Sequence, residues 1–306
     1  MKKIIFMGSP DYATTILQEL LNSHYKVVAL FTQEDKPAGR GRKLTPPHIK
    51  GYVNANNINI PIFQPISLKN DEVVQQIKEL QADFIIVAAY GKLLPKNILD
   101  IAPCINLHAS ILPSYRGASP IQYAILNGDS FGGVTAMRMA KGMDTGDMLA
   151  YSFLKLDNFT TLEYLFKNLS NLAAQLTITT LDNFDNIKPI KQVHALCSNV
   201  KKITKQTGLV DFECARTLDS KFRALTPWPG IFLENKTKLK NIEIIETSSN
   251  NKAGIILNIE KDFIDIGCNS GSIRIHEIQP PSKKAVSGAD FARGKRLNQQ
   301  DILKDL

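Results

Sequence analysis

Asn106 and His108 stand two residues apart in the run Cys104-Ile105-Asn106-Leu107-His108. Apolar and polar residues alternate there, which predicts a strand. On a strand, residues two apart share a face. An amide donor is thus set beside an imidazole. A second apolar run, Val134 to Met139, precedes the sharp turn Gly142-Met143-Asp144-Thr145-Gly146-Asp147. Loops that follow strands in an open α/β sheet build sites at the carboxyl ends of those strands. An amide, an imidazole and a carboxylate in one such place suit a reaction that passes through a tetrahedral oxyanion. Asn106 would donate a fixed hydrogen bond to the growing oxygen charge. His108 would donate another, or move a proton near neutral pH. Asp144 would fix the imidazole tautomer or act as the base. The spacing alone fits equally a satisfied polar pair with no catalytic part.

The elements that must position these groups follow a βαβ rhythm. Lys3 to Met7 is predicted as a buried strand, Tyr12 to Leu21 as a helix and Lys26 to Phe31 as a second strand. That order implies a parallel sheet. Gly8 has no further glycines at dinucleotide-fingerprint spacing, which argues against a nicotinamide cofactor. Asn70 to Leu80 is read as a helix and the apolar Phe84 to Ala89 as a central strand buried on both faces. Pro120 to Leu126 is read as a short helix, Leu149 to Leu156 as a strand, and Thr161 to Leu181 as a long helix with a leucine stripe for the core. Pro189 to Lys205 lacks a regular apolar period and reads as a linker. Beyond it come short alternating runs, at Asn241 to Glu246, Gly254 to Ile259, Asp262 to Cys268 and Gly271 to Ile278, which suggest a small β-barrel. Trp228, the only tryptophan, is expected to pack in that barrel.

Between the second strand and the next helix lies Lys36 to Lys50, KPAGRGRKLTPPHIK, with five basic residues and no acid. Its glycines and prolines forbid a continuous helix or a central strand. A basic surface loop of this kind grips phosphates through Arg forks and Lys point charges, or simply stays solvated. Charge is weighted toward the C-terminal part: residues 1–200 carry a net +3 and residues 201–306 a net +5, within a total of +8. Such a balance favours an anionic partner with salt-dependent binding. The cysteines Cys104, Cys197, Cys214 and Cys268 form no metal-type pair. The apolar run Ile4 to Met7 is too short for a leader or a membrane span. A cytoplasmic protein with free thiols and no metal is expected.

The strings NLHASILPSYRGASPIQYAILNGD and GVTAMRMAKGMDTGDML resemble the signature of the methionyl-tRNA formyltransferases, within the wider group of 10-formyltetrahydrofolate-dependent formyltransferases. The resemblance runs from the first strand through Arg296. It departs from the family pattern at Ala109, Ile111, Met143 and Ser282, all modest changes of volume or polarity. It implies an α/β fold, with a Rossmann-like parallel-sheet formyltransferase domain at 1–188, a linker at 189–204 and an OB-like tRNA-binding domain at 205–306. It implies Asn106, His108 and Asp144 as the catalytic residues, and Ser110, Ile111, Leu112 and Pro113, with Tyr90 and Gly91, as the folate-binding loops. The Lys36 to Lys50 segment becomes a contact for the tRNA acceptor arm, with Arg40, Arg42 and Lys43 foremost. The implied reaction moves a formyl group from 10-formyltetrahydrofolate, a co-substrate, to the α-amine of initiator methionyl-tRNA. A monomer with no membrane association is expected. Two other readings stay open: a formyltransferase acting on a nucleotide-linked amino sugar, which has no need of the basic loop, and a non-catalytic RNA-binding protein on the same fold.

Overall fold

The computed structural model describes residues 1–39 and 41–303. Arg40, the foremost of the expected tRNA contacts, lies outside the described residues. The chain divides into two compact units. The first comprises Met1–Ile121, Ser130–Leu156 and Glu163–Lys201, and the second Gln122–Asp129, Asp157–Leu162 and the described residues from Lys202 on.

In chain order the elements up to residue 200 are β1 (Lys3–Gly8), α1 (Asp11–Asn22), β2 (Lys26–Phe31), β3 (Lys36–Ala38), β4 (Lys43–Thr45), α2 (His48–Ala55), β5 (Ile62–Phe63), α3 (Asp71–Glu79), β6 (Phe84–Ala88), α4 (Lys96–Leu99), β7 (Cys104–His108), β8 (Arg116–Gly117), α5 (Pro120–Leu126), β9 (Phe131–Arg138), β10 (Met148–Lys155), α6 (Leu162–Asp182) and β11 (Asn199–Val200). A seven-stranded sheet runs β10-β9-β7-β6-β1-β2-β5. Pairing is parallel from β5 through β7 and antiparallel at β9 and β10. Every residue of β6 is buried, as a strand covered on both faces requires. Ile4, Ile5, Phe6 and Ile86 are wholly inaccessible. Each such side chain contributes on the order of 2 kcal/mol through burial. Helix α3 starts where Asn70 accepts the Glu72 N–H at 2.9 Å, a side-chain cap. Along α6 the buried Leu165, Leu169, Ala173 and Leu176 form the core stripe.

The basic segment is not one loop. Strands β3 and β4 pair as an exposed hairpin, Lys36 with Thr45 and Ala38 with Lys43, and α2 begins directly after Pro47. Hydrogen bonds tie its root to the unit. Lys50 Nζ donates to both Asp35 oxygens at 2.9 and 3.0 Å, and Gln64 Nε2 donates to Asp35 at 2.8 Å. Residues 189–201, read from the sequence as linker, are built into the first unit. Ile190 exchanges backbone hydrogen bonds with Met148 at 2.8 and 2.9 Å, and β11 pairs in parallel with β8.

The second unit carries α7 (Ala215–Leu225), β12 (Ile231–Phe232), β13 (Lys238–Glu246), β14 (Ile256–Ile259), β15 (Ile264–Gly267), β16 (Ser272–Gln279), β17 (Val286–Ser287) and α8 (Gly288–Lys295). Its strands are antiparallel, in the order β12-β13-β16-β15-β14, with β17 also on β16. Ile264, Ile266, Ile273, Ile275 and Ile278 contribute to its core, the pairs 264/266 and 273/275 standing two apart on their strands. Trp228 corrects an expectation: it is 59% exposed rather than packed inside. Pro227 cannot continue α7, so Trp228 leaves the core in the turn that follows the helix. Among the described residues, no helix is long and apolar enough to cross a membrane.

Burial also sorts the thiols. It pushes both Cys104 and Cys268 up to about 12. A neutral-pH alkylating reagent should therefore spare these two in the native protein and reach the part-exposed Cys197 and Cys214. Peptide mass spectrometry before and after denaturation reads this directly, and prompt native labelling of Cys104 would contradict it.

Candidate active site

Asn106 and His108 leave β7 on one face, while the intervening Leu107, 1% exposed, enters the core on the other. The Asp144 carboxylate lies against both. Asn106 Nδ2 donates to Asp144 Oδ1 at 3.3 Å, and the Gly117 N–H donates to Oδ2 at 2.9 Å. His108 Nδ1 is 3.7 Å from Oδ2, and the two side chains are 7% and 13% exposed. That distance is too long for a hydrogen bond but short for a charge contact in a site screened from water.

Asp144 was expected to set the imidazole tautomer, yet a backbone group does so. His108 Nε2 lies 2.9 Å from the Tyr115 carbonyl oxygen. A carbonyl only accepts, so Nε2 carries the proton. In the neutral ring, Nδ1 then turns a lone pair toward Asp144. A proton placed on Nδ1 would lie between the ring and Asp144 Oδ2, which is 3.7 Å from that nitrogen. The arrangement makes Nδ1 a proton acceptor backed by an anion. The Nε2–H is already engaged by Tyr115. Asn106 keeps one of its two amide hydrogens for a further acceptor.

The Asp144 loop reaches this place by an unexpected route. Strand β9 is antiparallel to β7, so its last residues lie beside the start of β7: Met139 N–H donates to the Cys104 carbonyl at 2.8 Å. The loop therefore leaves at the end opposite His108 and folds back to bring Asp144 to it. Asp144 takes a left-handed backbone, φ +52°, which costs a non-glycine residue about 1–2 kcal/mol. Gly146 lies so close to the strand that a Cβ there would stand 1.7 Å from the Arg138 carbonyl oxygen. Buried Gln192 completes the loop: its Nε2 donates to the carbonyls of Asp144 at 2.9 Å and Gly146 at 2.7 Å. No local pattern marks Gln192 in the sequence, because it lies 48 residues from Asp144 in an aperiodic stretch.

Thr135 holds the loop after β7: the Leu112 N–H donates to its Oγ1 at 3.0 Å, and that hydroxyl donates to the Ser110 carbonyl at 2.7 Å. Ser110 Oγ donates to the Ser114 carbonyl at 2.6 Å, and the Leu112-Pro113 bond is cis. Ser110 and Leu112 are buried, at 3% and 4% exposed, whereas Ile111 and Pro113 are half-buried. At the end of β6 the Tyr90 ring is 1% exposed within the core, and Gly91 is exposed with φ +76°. The described Arg42 and Lys43 are exposed on the β3–β4 hairpin. Among the described residues, no hydrogen bond or ion pair joins Arg42 or Lys43 to the Asn106 cluster.

A mostly parallel sheet thus carries an amide, an imidazole and a carboxylate together beside its central strands. The family model described as "Formyl transferase" matches residues 1–181, and "Formyl transferase, C-terminal domain" matches residues 202–296. A curated relative named methionyl-tRNA formyltransferase, from Nitratiruptor, is 53% identical over 98% of this chain and 99% of its own. The chain belongs to the methionyl-tRNA formyltransferase family.

Solved structures share the fold at lower identity. An N-formyltransferase from Helicobacter canadensis, in complex with folinic acid and dTDP-3-aminofucose, superposes with a TM-score of 0.66 at 17% identity, covering 90% of this chain and 99% of that one. HypX from Aquifex aeolicus, in complex with tetrahydrofolic acid, gives a TM-score of 0.63 at 16% identity, covering 95% of this chain. The present chain spans about half of HypX, 47%.

Proposed function

We propose that this protein transfers the formyl group of 10-formyltetrahydrofolate to the α-amine of methionine on initiator tRNA, with Asn106, His108 and Asp144 as the catalytic residues. The observation that carries the reading is the convergence of these three side chains, Asn106 at 3.3 Å and His108 at 3.7 Å from one carboxylate, in a chain of this family. The folate supplies an activated formyl carbon. The neutral amine attacks that carbon, and the free amide hydrogen of Asn106 meets the oxygen charge that results, a contact worth about 3 kcal/mol by the usual cost of losing such a donor. His108 Nδ1 takes the amine proton, and Asp144 holds the imidazolium so formed. Collapse breaks the bond between the formyl carbon and the folate nitrogen, returns the oxygen to a carbonyl, and passes the proton held by His108 to the departing nitrogen. Half-buried Ile111 and Pro113 offer apolar contact to the faces of a flat heteroaromatic ring, with exposed Gly91 at the end of the neighbouring strand.

In this reading the catalytic domain is residues 1–188 together with the 189–201 strip built into the same unit, and residues 205–306 bind tRNA, in a cytoplasmic monomer. The Arg42 and Lys43 side chains grip phosphates, with Arg40 beside them in sequence. We expect the double variant Arg42→Ala/Lys43→Ala to raise the KM for tRNA about tenfold and to flatten its salt dependence by about one to two units of log–log slope, with the folate KM nearly unchanged. Steady-state assays at several salt concentrations check this. An unchanged tRNA KM would leave the hairpin as solvated surface. The overall reading is tested by supplying formyl-folate with methionyl-tRNA in one arm and with a nucleotide-linked amino sugar in the other. Formyl-methionine in the first arm supports it; formylation of the sugar alone replaces it.

A further inference from the structure

We infer that Gln192, anchored by Arg116, is the positioning residue that holds Asp144 in its working geometry, so that residues 190–200 belong to the catalytic machinery. The inference rests on Asp144 being catalytic, as proposed above. Gln192 is 6% exposed, and its amide is fully used. Nε2 donates to the Asp144 carbonyl at 2.9 Å and to the Gly146 carbonyl at 2.7 Å. Oε1 accepts from Arg116 Nε at 3.0 Å and Nη2 at 2.6 Å. An amide has two donor hydrogens and two acceptor lone pairs, and each has a partner here. Only a glutamine presents both kinds at this reach. A fully satisfied buried network of this sort fixes one arrangement among several.

Arg116 makes the case stronger. It is 5% exposed, yet among the described residues no carboxylate pairs with it; its remaining contact is Nη1 to His194 Nδ1 at 3.4 Å. Burying a cation without an anion is costly, and core packing does not demand it. The Gln192 carbonyl dipole is what replaces water around it. The same stretch of chain reaches Asp144 again, because the N–H of the next residue, Gly117, donates to Oδ2 at 2.9 Å. Gly117 in turn is fitted against Val200: a Cβ there would stand 2.3 Å from the Val200 carbonyl oxygen. One strip, 190–200, thus fixes the backbone of Asp144 through Gln192 and backs the donor to its carboxylate through β11. Asp144 sits at φ +52°, a conformation that persists only where its surroundings over-determine it. Gln192 lies between the two family matches, which end at 181 and resume at 202.

The test uses full-length protein and the formyl-transfer assay. Gln192→Ala should lower kcat about 10- to 100-fold while the KM values for folate and tRNA stay within about threefold. A residue needed only for stability would lower the melting temperature and leave kcat per folded molecule intact, and that result overturns the inference. If Gln192→Ala does not fold, Gln192→Glu serves. It keeps an acceptor for Arg116, loses both donors to the loop, and is expected to fold with a similar kcat loss; wild-type kcat in that variant also overturns the inference. Asp144→Asn separates the two levels of the argument. If it is active, the proposed catalytic role fails and this inference falls with it. If Asp144→Asn is dead while folded Gln192→Ala turns over normally, only the positioning role fails. In the double variant Asp144→Asn/Gln192→Ala, a rate no lower than that of Asp144→Asn shows that Gln192 acts through Asp144.

Discussion

Asp144→Asn should lower kcat/KM for methionyl-tRNA by about 10³-fold or more while the protein stays folded. The argument is geometric. Asp144 accepts on both oxygens, from Asn106 at Oδ1 and from the Gly117 N–H at Oδ2. An asparagine has one accepting oxygen. Whichever way its amide is turned, an NH2 faces a donor, so either Asn106 loses its partner or Gly117 does. The charge opposite His108 Nδ1 is lost as well. The proton that Nδ1 accepts then has no anion at 3.7 Å to hold it. Losing an oriented donor costs on the order of 3 kcal/mol, and losing the carboxylate behind a catalytic imidazole has a comparable or larger effect. Asn106→Ala removes only the donor and should cost about 10²- to 10³-fold. Melting temperatures measured beside the kinetics separate chemistry from folding. A folded Asp144→Asn enzyme within tenfold of the parent would leave the carboxylate out of the reaction.

The polar trio was legible in the sequence because one strand carries two of its members at period two. The third lies in a turn whose glycines are visible. The parallel core was legible for a similar reason: runs such as Phe84–Ala88 are too apolar for an exposed strand. What stayed hidden depends on chain direction and long range. Nothing local says that β9 runs antiparallel to β7, so the loop was expected at the strand ends and instead folds back. Gln192 sits in a stretch with no period, and its four hydrogen bonds reach three residues in two distant segments. A pattern rule that calls aperiodic chain a linker misses chain held by side-chain amides and by single backbone bridges. Trp228 failed in the opposite direction. It is expected to pack in the barrel, but a turn between two prolines places it at 59% exposure. Side-chain hydrophobicity gives a preference, and the local backbone decides whether it can be met.

Gly146→Ala probes the same site from the backbone and should be among the most damaging single-methyl additions in the chain. The new Cβ would stand 1.7 Å from the Arg138 carbonyl oxygen and 2.8 Å from its carbon. These are backbone atoms of a sheet strand, so no side chain can rotate away to make room. The strand end and the loop are also bonded to each other, Arg138 N–H to the Asp147 carbonyl at 2.8 Å. Relief requires the loop to lift, and lifting it takes the Gly146 carbonyl from Gln192 and draws Asp144 off Asn106 and Gly117. Activity should therefore fall at least about 100-fold, with a stability loss of about 2–3 kcal/mol from overpacking. The same substitution at Gly51 is the internal control. Gly51 lies within α2 with nothing inside 4 Å of the added carbon, so alanine there should stabilise by about 0.5–1 kcal/mol. Chemical denaturation and formyl-transfer rates on both variants check the pair. Since the two changes add the same methyl group, the difference in sign isolates the loop-to-strand contact as the cause; a Gly146→Ala enzyme as active and stable as Gly51→Ala would mean that the loop does not need to lie on the strand to carry Asp144.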